Sequence, residues 1–192
     1  MVKIKMRIIS GRLRGKKLEP PKGMTTRPTT DKVKESIFNI IQFGLIDARV
    51  LDLFAGSGQL GLEAISRGAA SCVFVEQDRA SAQAVEKNIA ACGLKREEAR
   101  LHKGDSFAFL AHQQPKSFDV ILLDPPYGGE LLRRALSDIS RFDILSDDGI
   151  IICEKAPDDI IEPLPEGYAL AKEYKYGQIM LCKVVREEGG QE

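Results

Sequence analysis

The sequence contains few of the residues that bind metals. Its 192 residues include two histidines, His102 and His112, and four widely spaced cysteines without a CxxC pair. The histidines match no ligand pattern such as HExxH, so we expect no metal. Three of the cysteines lie in apolar, strand-like sequence, and buried, reduced thiols are expected at Cys72, Cys92, Cys153 and Cys182.

Long apolar runs are also absent. No stretch approaches the ~20 residues of a membrane span, and the segment MVKIKMRIIS lacks the apolar core of a signal peptide. Hydrophobic residues at 43% and charged residues at 29% are typical of an ordinary soluble globular protein. We therefore expect one large cytoplasmic domain with a small appendage and no membrane contact. We also expect a monomer, because no spare apolar surface stripe is visible.

The net charge of zero conceals a strong asymmetry. Residues 1–34 contain eleven Lys or Arg and two acids, an excess of nine positive charges, whereas the other 158 residues contain 17 basic and 26 acidic groups. Apolar residues alternate within the basic segment, which indicates a strand rather than a disordered tail: Ile4, Met6, Ile8 and Ile9. A structured basic surface of this kind favours a polyanionic partner.

Helical and strand-like segments alternate after the basic segment. The spacing of Val33, Ile37, Ile40 and Ile41 predicts an amphipathic helix over 30–43. Strands are predicted at 49–54, 72–76, 99–103, 118–124 and 149–154, and the helices between them at 58–67, 79–92, 106–113 and 129–141. Strand then helix, repeated, is typical of a parallel sheet with helices on both faces.

The last part of the chain breaks this alternation. Segments 168–175 and 178–186 are strand-like and are separated by Gly177, which predicts a hairpin. Five parallel strands closed by an antiparallel hairpin resemble the Rossmann-like class I S-adenosylmethionine-dependent methyltransferase fold, an α/β fold with a mostly parallel seven-stranded sheet. We divide the chain into a basic N-terminal β extension (1–28), a methyltransferase domain (29–186) and a disordered tail (187–192).

A glycine-rich loop, DLFAGSGQLG at 52–61, has the spacing G-x-G-x-x-G between a strand and a helix. The spacing alone fits a dinucleotide site equally well. Asp52, however, lies four residues before Gly56, and a carboxylate at the mouth of that cleft would repel a pyrophosphate and attract an ammonium group. S-adenosylmethionine fits this loop better, and the expected loop contacts are Phe54, Ala55, Gly56, Ser57 and Gly58.

Two further acids follow the next two strands. Glu76 ends the second strand, where its oxygens can accept hydrogen bonds from both ribose hydroxyls. Asp105 follows the third strand and is placed to accept from the adenine amino group, with Ser106 beside it. Asp105 could instead cap the helix that begins at Ser106. Together with Asp52, these acids mark the ligand-binding edge of the sheet.

The fourth strand ends in DPPY, residues 124–127. Methyl transfer to an exocyclic amine depends on orienting the nitrogen. The carboxylate of Asp124 and the carbonyl of Pro125 can accept its two N–H groups, and Pro126 helps to fix the direction of that carbonyl. Tyr127 can stack on the base. We therefore predict Asp124, Pro125, Pro126 and Tyr127 as the catalytic corner, with Asp124 also beside the cofactor.

Five stretches together indicate a family: RIISGRLRGKKLEPPKG, TRPTTDKVKESIFNII, DLFAGSGQLGLEA, DPPY and the late YGQ. The chain resembles the bacterial 16S ribosomal RNA guanine-N2 methyltransferases that modify the guanine conventionally numbered 966. The similarity covers nearly the whole chain, and the N-terminal pattern is its most specific part. Ser10 and Gln59 depart from the residues usual in the family.

The resemblance implies roles for individual residues. Asp52, Gly56, Glu76, Asp105 and Asp124 would line the cofactor and target pocket, with Tyr127 against a flipped guanine. Arg27, Pro28 and Thr29 would lie near that pocket. The residues expected to bind RNA are Arg7, Arg12, Arg14, Lys16, Lys17 and Arg27. The substrate would be ribosomal RNA, in a partly assembled small subunit.

Other functions remain open on the residues alone. A DNA or RNA adenine-N6 methyltransferase can use the same DPPY geometry, although the chain has no obvious additional domain that would read DNA sequence. A glutamine-N5 methyltransferase would usually carry NPPY and has little use for a basic segment. A nicotinamide-dependent dehydrogenase would explain the glycines but not Asp52 or DPPY, and a catalytically silent RNA-binding module would leave the three acids without a purpose.

Overall fold

A computed structural model of the protein describes residues 6–22, 30–126 and 129–187. Within these ranges, seven strands form one sheet in the order β3-β2-β1-β4-β5-β7-β6. Strands β1 to β5 are parallel, and β7 runs antiparallel to both β5 and β6. The predicted parallel core and antiparallel hairpin are confirmed. The strands are β1 Arg49–Asp52, β2 Ser71–Glu76, β3 Ala99–Lys103, β4 Phe118–Leu123, β5 Leu145–Lys155, β6 Tyr168–Tyr176 and β7 Ile179–Arg186.

The described residues form five α-helices, of which the first precedes β1 and the other four connect successive strands: α1 Asp31–Ile41, α2 Gln59–Ser66, α3 Arg79–Cys92, α4 Ser106–Leu110 and α5 Gly129–Arg141. Thr30 caps α1 by accepting a hydrogen bond from the backbone N–H of Val33. A short 3-10 helix, Gln42–Gly44, follows α1. Strand β5 begins four residues earlier than predicted because Leu145 pairs with Phe118 beyond a shift in register. Among the described helices, none combines the length and apolar character needed to cross a membrane.

The strand residues alternate between two buried faces, and each face has its own hydrophobic core. The first face carries Val50, Phe74, Leu122 and Ile152, and it packs with α1, α2 and α3. The second face carries their sequence neighbours and packs with α4 and α5. Alternation with a period of two therefore decides which helices each strand residue meets. All four cysteines are buried and free, as the sequence predicts.

The basic segment at 6–22 folds onto the first face. Four apolar side chains from it join that core: Met6, Ile8, Leu13 and Leu18. Within the described part of the predicted β extension, Arg7 and Lys17 form an antiparallel bridge, flanked by backbone hydrogen bonds from Ile8 to Lys16 and from Leu18 to Met6. Residues 1–5 and 23–29 lie outside the described residues, as does the predicted tail except for Glu187, whose N–H donates to the carbonyl of Gly167.

Two buried charges fix this segment to the domain. Glu63 on α2 is fully buried, and its carboxylate accepts the backbone N–H groups of Ile9 and Ser10 at 2.8 and 3.0 Å. Lys34 on α1 is 1% exposed and donates to the carbonyl of Arg7 at 2.6 Å. Burial lowers the pKa of Lys34 despite its neighbours Asp31 and Glu63. The segment is thus held by hydrogen bonds as well as by apolar contact.

Candidate active site

The strand register brings carboxylates to one edge and one face of the sheet. Asp52, the last residue of β1, is in register with Phe74 of β2 and Leu122 of β4. Residues two apart in a strand lie on the same face. Glu76 on β2, Asp124 after β4 and Glu154 on β5 each come two residues after a first-face residue and therefore lie on that face. Parallel strands end at the same edge, which is where α/β proteins bind ligands. The fold therefore gathers acids from four neighbouring strands.

The sequence predicted Asp52 at the mouth of a cleft. In the structure it lies beneath the glycine loop instead. It is 1% exposed, and its Oδ2 accepts the backbone N–H of Gly61 at 3.0 Å. Desolvation by burial raises the pKa of Asp52 to about 7, opposed by the Gly61 hydrogen bond and increased by the charges of Asp124 and Glu76. Asp52 holds the loop to the start of α2 and adds negative field from below.

The three glycines of the loop have different structural reasons. Gly56 and Gly58 have φ of +54° and +77°, which L side chains rarely adopt. Gly61 lies in the first turn of α2, where a Cβ would stand 2.3 Å from Cε1 of Phe74. The first two glycines make the turn, and the third permits close packing of the helix on β2.

The remaining predicted loop residues lie between the ends of β1 and β2. The backbone N–H of Ala55 donates to the carbonyl of Val75 at 3.0 Å. The half-buried ring of Phe54 meets the ring of Phe107 edge-on, with 6.3 Å between centroids. Ser57 is buried, and its carbonyl accepts a hydrogen bond from Asn88. These contacts fix the loop against the sheet.

Glu76 already serves the loop as an acceptor. Its Oε2 accepts the N–H of Gly56, and its Oε1 accepts the N–H of Asp78, both at 2.8 Å. Each carboxylate oxygen can accept a second hydrogen bond, so both remain able to receive a hydroxyl. Desolvation by burial raises the pKa of Glu76 against these hydrogen bonds.

Asp105 adopts the capping role that the sequence left open. Its Oδ1 accepts the backbone N–H groups of Phe107 and Ala108 at 3.0 and 2.8 Å. The adjacent Ser106 is buried and donates through its hydroxyl to the carbonyl of Leu53 at 2.7 Å. Ser106 thereby anchors the start of α4 to the end of β1. The cap leaves Asp105 exposed at the same edge as the other acids.

The corner at Asp124 follows the completely apolar end of β4. Leu122 and Leu123 are each 1% exposed, Asp124 and Pro125 are half-buried, and Pro126 is exposed. The chain thus leaves the core within three residues, and two prolines limit its backbone there. Tyr127, which the sequence assigns to the base, lies outside the described residues.

Glu154 is an acid at this edge to which the sequence reasoning gave no role. Leu123 is in register with Cys153, which places Glu154 of β5 beside Asp124, the residue that follows β4. Its Oε2 is buried and has no hydrogen-bond partner among the described residues. Desolvation, followed by the charge of Asp124, raises the pKa of Glu154 to about 8. The signal was available, since Glu154 ends the apolar run GIIICE as Asp124 ends VILLD.

The predicted RNA-binding residues differ in their surroundings. Arg7 pairs with Asp31 at 3.1 Å, and Arg12 pairs with Glu98. The ammonium of Lys16 donates to the carbonyl of Ala91 at 3.4 Å. Arg14 and Lys17 are exposed and form no ion pair with any described residue. Arg27 lies outside the described residues.

Comparison with known proteins identifies the family of the chain. A family model described as Conserved hypothetical protein 95 matches residues 6–185. Ribosomal RNA small subunit methyltransferase D of Escherichia coli strain K12 is 37% identical over 186 residues, covering 97% of this chain and 92% of that protein. The Haemophilus influenzae protein of the same name is 37% identical over 175 residues, covering 90% and 89%.

A solved structure has the same fold. The structure described as "Putative methyltransferase yhhF from Escherichia coli" has a TM-score of 0.84 at 34% identity, covering 95% of this chain and 98% of that one. The methyltransferase fold predicted from the strand order is confirmed. The chain therefore belongs to the Conserved hypothetical protein 95 family, and its relatives include proteins named Ribosomal RNA small subunit methyltransferase D.

Proposed function

We propose that the protein transfers a methyl group from S-adenosylmethionine to the exocyclic N2 amine of a guanine in small-subunit ribosomal RNA. The observation that carries this proposal is the Asp124-Pro125-Pro126 corner, which leaves β4 beside the glycine loop that follows β1. The names of the relatives support ribosomal RNA of the small subunit as the substrate.

The residues present fit a cationic cofactor. Asp52 and Glu76 form no ion pair with a described lysine or arginine, and both have raised pKa values because burial disfavours their charge. A bound ammonium and sulfonium would compensate that cost, whereas a pyrophosphate would increase it. We therefore assign the loop at 54–58, Asp52, Glu76, Asp105 and Ser106 to S-adenosylmethionine rather than to a dinucleotide.

Within this assignment each acid has a separate task. Glu76 offers its second lone pairs to the ribose hydroxyls, and the second oxygen of Asp105 offers an acceptor to the adenine amino group. Asp52 orders the loop through Gly61 and contributes charge. When bound, S-adenosylmethionine supplies an electrophilic methyl group on sulfur.

The corner orients the amine that receives the methyl group. A carboxylate oxygen of Asp124 and the carbonyl of Pro125 accept its two N–H groups and turn the nitrogen lone pair toward the methyl group. Orientation of this kind can supply most of the acceleration, since effective molarities reach about 10⁵ to 10⁸ M. The base must first leave its helical stack, at a cost of a few kcal/mol, and stacking on Tyr127 can return about 1 to 3 kcal/mol.

The basic segment supplies the contact with the RNA backbone. Arg14 and Lys17 present exposed charges, and the exposed pairs of Arg7 and Arg12 can exchange their carboxylate partners for phosphates at little cost. Lys16 and Arg27 complete the proposed set. We place the protein in the cytoplasm, acting as a monomer on a partly assembled small subunit.

Labelled methyl transfer to total RNA and to small-subunit particles, followed by nucleoside identification and mapping, tests this function. We expect N2-methylguanosine at one position of the small-subunit RNA. Formation of N6-methyladenosine instead would show that the target base is adenine. Absence of transfer, together with binding of NAD in preference to S-adenosylmethionine, would show that the protein is a nicotinamide-dependent enzyme and not a methyltransferase.

A further inference from the structure

We propose that Glu154 is a base-reading residue of the target pocket, whose carboxylate accepts the N1–H of the guanine held by Asp124. This inference rests on the proposed function and deepens it by assigning the choice of base to a residue. It begins from the position of Glu154 beside Asp124, one strand further along the same edge and on the same face of the sheet.

The surroundings of Glu154 indicate that its carboxylate awaits a donor. Its cross-strand neighbour on β7 is Leu181, which is fully buried. The next residue, Lys155, directs its ammonium to Glu173 at 3.6 Å and to the carbonyl of Asp159 at 2.8 Å. Among the described residues, none donates to the buried Oε2 of Glu154. A buried acceptor without a donor is costly, and a ligand that brings one would remove the cost.

The chemistry of the base supplies that donor. In guanine the carbon that carries the N2 amine is flanked by N1–H on one side and by bare N3 on the other. In the proposed orientation the N1–H side faces Glu154, where the second acceptor meets a hydrogen. In adenine the carbon that carries the N6 amine is flanked by an unprotonated N1, whose lone pair would face the carboxylate. The ionised carboxylate of Glu154 therefore favours guanine through an attraction and disfavours adenine through a repulsion, whereas the protonated acid can donate to bare N1 and discriminates less. Asp124 and Pro125 hold the amine in both cases and do not discriminate.

The matched probe is 2-aminopurine, which keeps the N2 amine but has no hydrogen on N1. After the position modified by the wild-type enzyme has been mapped, small-subunit RNA is assembled by ligation with either guanine or 2-aminopurine at that position. Each RNA is assayed both free of protein and in reconstituted particles. The quantity measured is the ratio of kcat/KM for guanine to that for 2-aminopurine, at about pH 8.5 so that the carboxylate is ionised. The loss of O6 is common to every variant and cancels when their ratios are compared.

Glu154→Gln is the informative variant because an amide can accept from N1–H or donate to bare N1. We expect the ratio to fall about tenfold or more relative to wild type, as for the loss of a hydrogen bond to a charged group. Glu154→Asp keeps the charge and should retain most of the preference at a lower rate. Glu97→Gln makes the same chemical change at an exposed position and should leave the ratio unchanged.

The outcomes separate this inference from the function on which it rests. If the wild-type enzyme forms no N2-methylguanosine, the proposed function is wrong. If it does, and Glu154→Gln keeps the wild-type ratio while folding normally and binding S-adenosylhomocysteine, the role of Glu154 is wrong. Should Glu154→Gln fail to fold, Glu154→Ala, which removes the carboxylate altogether, takes its place, and a wild-type ratio in that variant would contradict the inference.

Discussion

The side-chain Nδ2 of Asn88 donates a 2.9 Å hydrogen bond to the carbonyl of Ser57, in the middle of the glycine loop. The same Asn88 accepts from the N–H of Glu19 at 2.8 Å and donates to its carbonyl at 3.0 Å. Asn88 is 1% exposed. One buried amide on α3 therefore joins the basic segment to the proposed cofactor loop, so the two proposed binding surfaces share a structural support.

Replacement of Asn88 should weaken both surfaces. Asn88→Ala removes one buried and two partly buried hydrogen bonds, which should lower the free energy of unfolding by about 2 kcal/mol. We also expect weaker binding of S-adenosylhomocysteine, because Ser57 loses its donor. Urea unfolding and calorimetric titration measure the two effects. Asn39→Ala changes an exposed residue of α1 and serves as the control; equal behaviour of the two variants would contradict the role of Asn88.

The raised pKa of Asp52 predicts a pH dependence of cofactor binding. In the free protein burial raises this pKa to about 7, so the group is partly protonated near neutrality. A cationic ligand favours the ionised form, and binding should release protons and strengthen as the pH rises through about 7. Calorimetry with S-adenosylmethionine, without RNA and in buffers of different ionisation enthalpy, measures this release.

Two variants isolate the contribution of Asp52. Asp52→Asn should reduce both the proton release and the affinity, and any residual release would come from Glu76, whose pKa is also raised. Asp148→Asn, at an exposed position of β5, should behave as wild type. Binding that releases no protons near neutral pH in the wild-type protein would contradict the account of this acid.

Glu154 predicts a second pH effect, on stability. Its folded-state pKa is raised from 4.5 to about 8, so the folded protein holds a proton that the unfolded chain releases between these values. Stability should fall as the pH rises across that window, by an amount on the order of a few kcal/mol, and recover as the pH falls. Glu154→Gln should unfold at higher urea concentration than wild type above about pH 8. A variant less stable than wild type at that pH would show that the charge is compensated in the protein.

Glu63 predicts how firmly the basic segment is attached. Glu63→Ala removes the acceptor of Ile9 and Ser10 and the partner of Arg67, which lies 2.8 Å away. We expect a loss of about 2 to 4 kcal/mol in the free energy of unfolding and early proteolysis within residues 6–22. Glu35→Ala, on the exposed side of α1, is the matched control. Unchanged protease resistance in Glu63→Ala would mean that the apolar contacts alone hold the segment.

Arg14 and Lys17 test the proposed contact with RNA. Replacing both by glutamate should weaken RNA binding. It should also lower the slope of log affinity against log salt concentration by the equivalent of about two phosphate contacts. Stability should change little because both side chains are exposed. The matched control replaces Lys172 and Lys175 by glutamate. Both are exposed on β6, the edge strand at the other end of the sheet from β3. Equal salt slopes for the two double variants would show that the basic segment does not belong to the RNA-binding surface.

The elements were predictable because their apolar runs are bounded by local signals. Helix α3 and strand β3 have the predicted bounds, and β4 ends one residue early, immediately before Asp124. The register of adjacent parallel strands then follows from the fold, which is why the acids at strand ends were found. The short helix α4 was predicted too long, since the sequence did not reveal that it ends at Leu110.

The sequence was less informative where a side chain serves a distant backbone group. The bond from Ile9 to Glu63 joins residues 54 apart, and nothing local indicates it. Asp52 was expected at an open cleft, but it is 1% exposed and accepts the backbone N–H of Gly61, nine residues further along the chain. Glu154 was included in a predicted strand without a role, because only the pairing of β4 with β5 brings it to Asp124.

The central claim is that Asp124 orients the target amine. Its most direct test is single-turnover methyl transfer by Asp124→Ala with saturating S-adenosylmethionine, alongside the affinity for S-adenosylhomocysteine. We predict a loss of at least about 100-fold in the rate of transfer, with that affinity within about threefold of wild type, because the removed contacts act mainly on the amine. Transfer at the wild-type rate in Asp124→Ala would contradict the proposed mechanism.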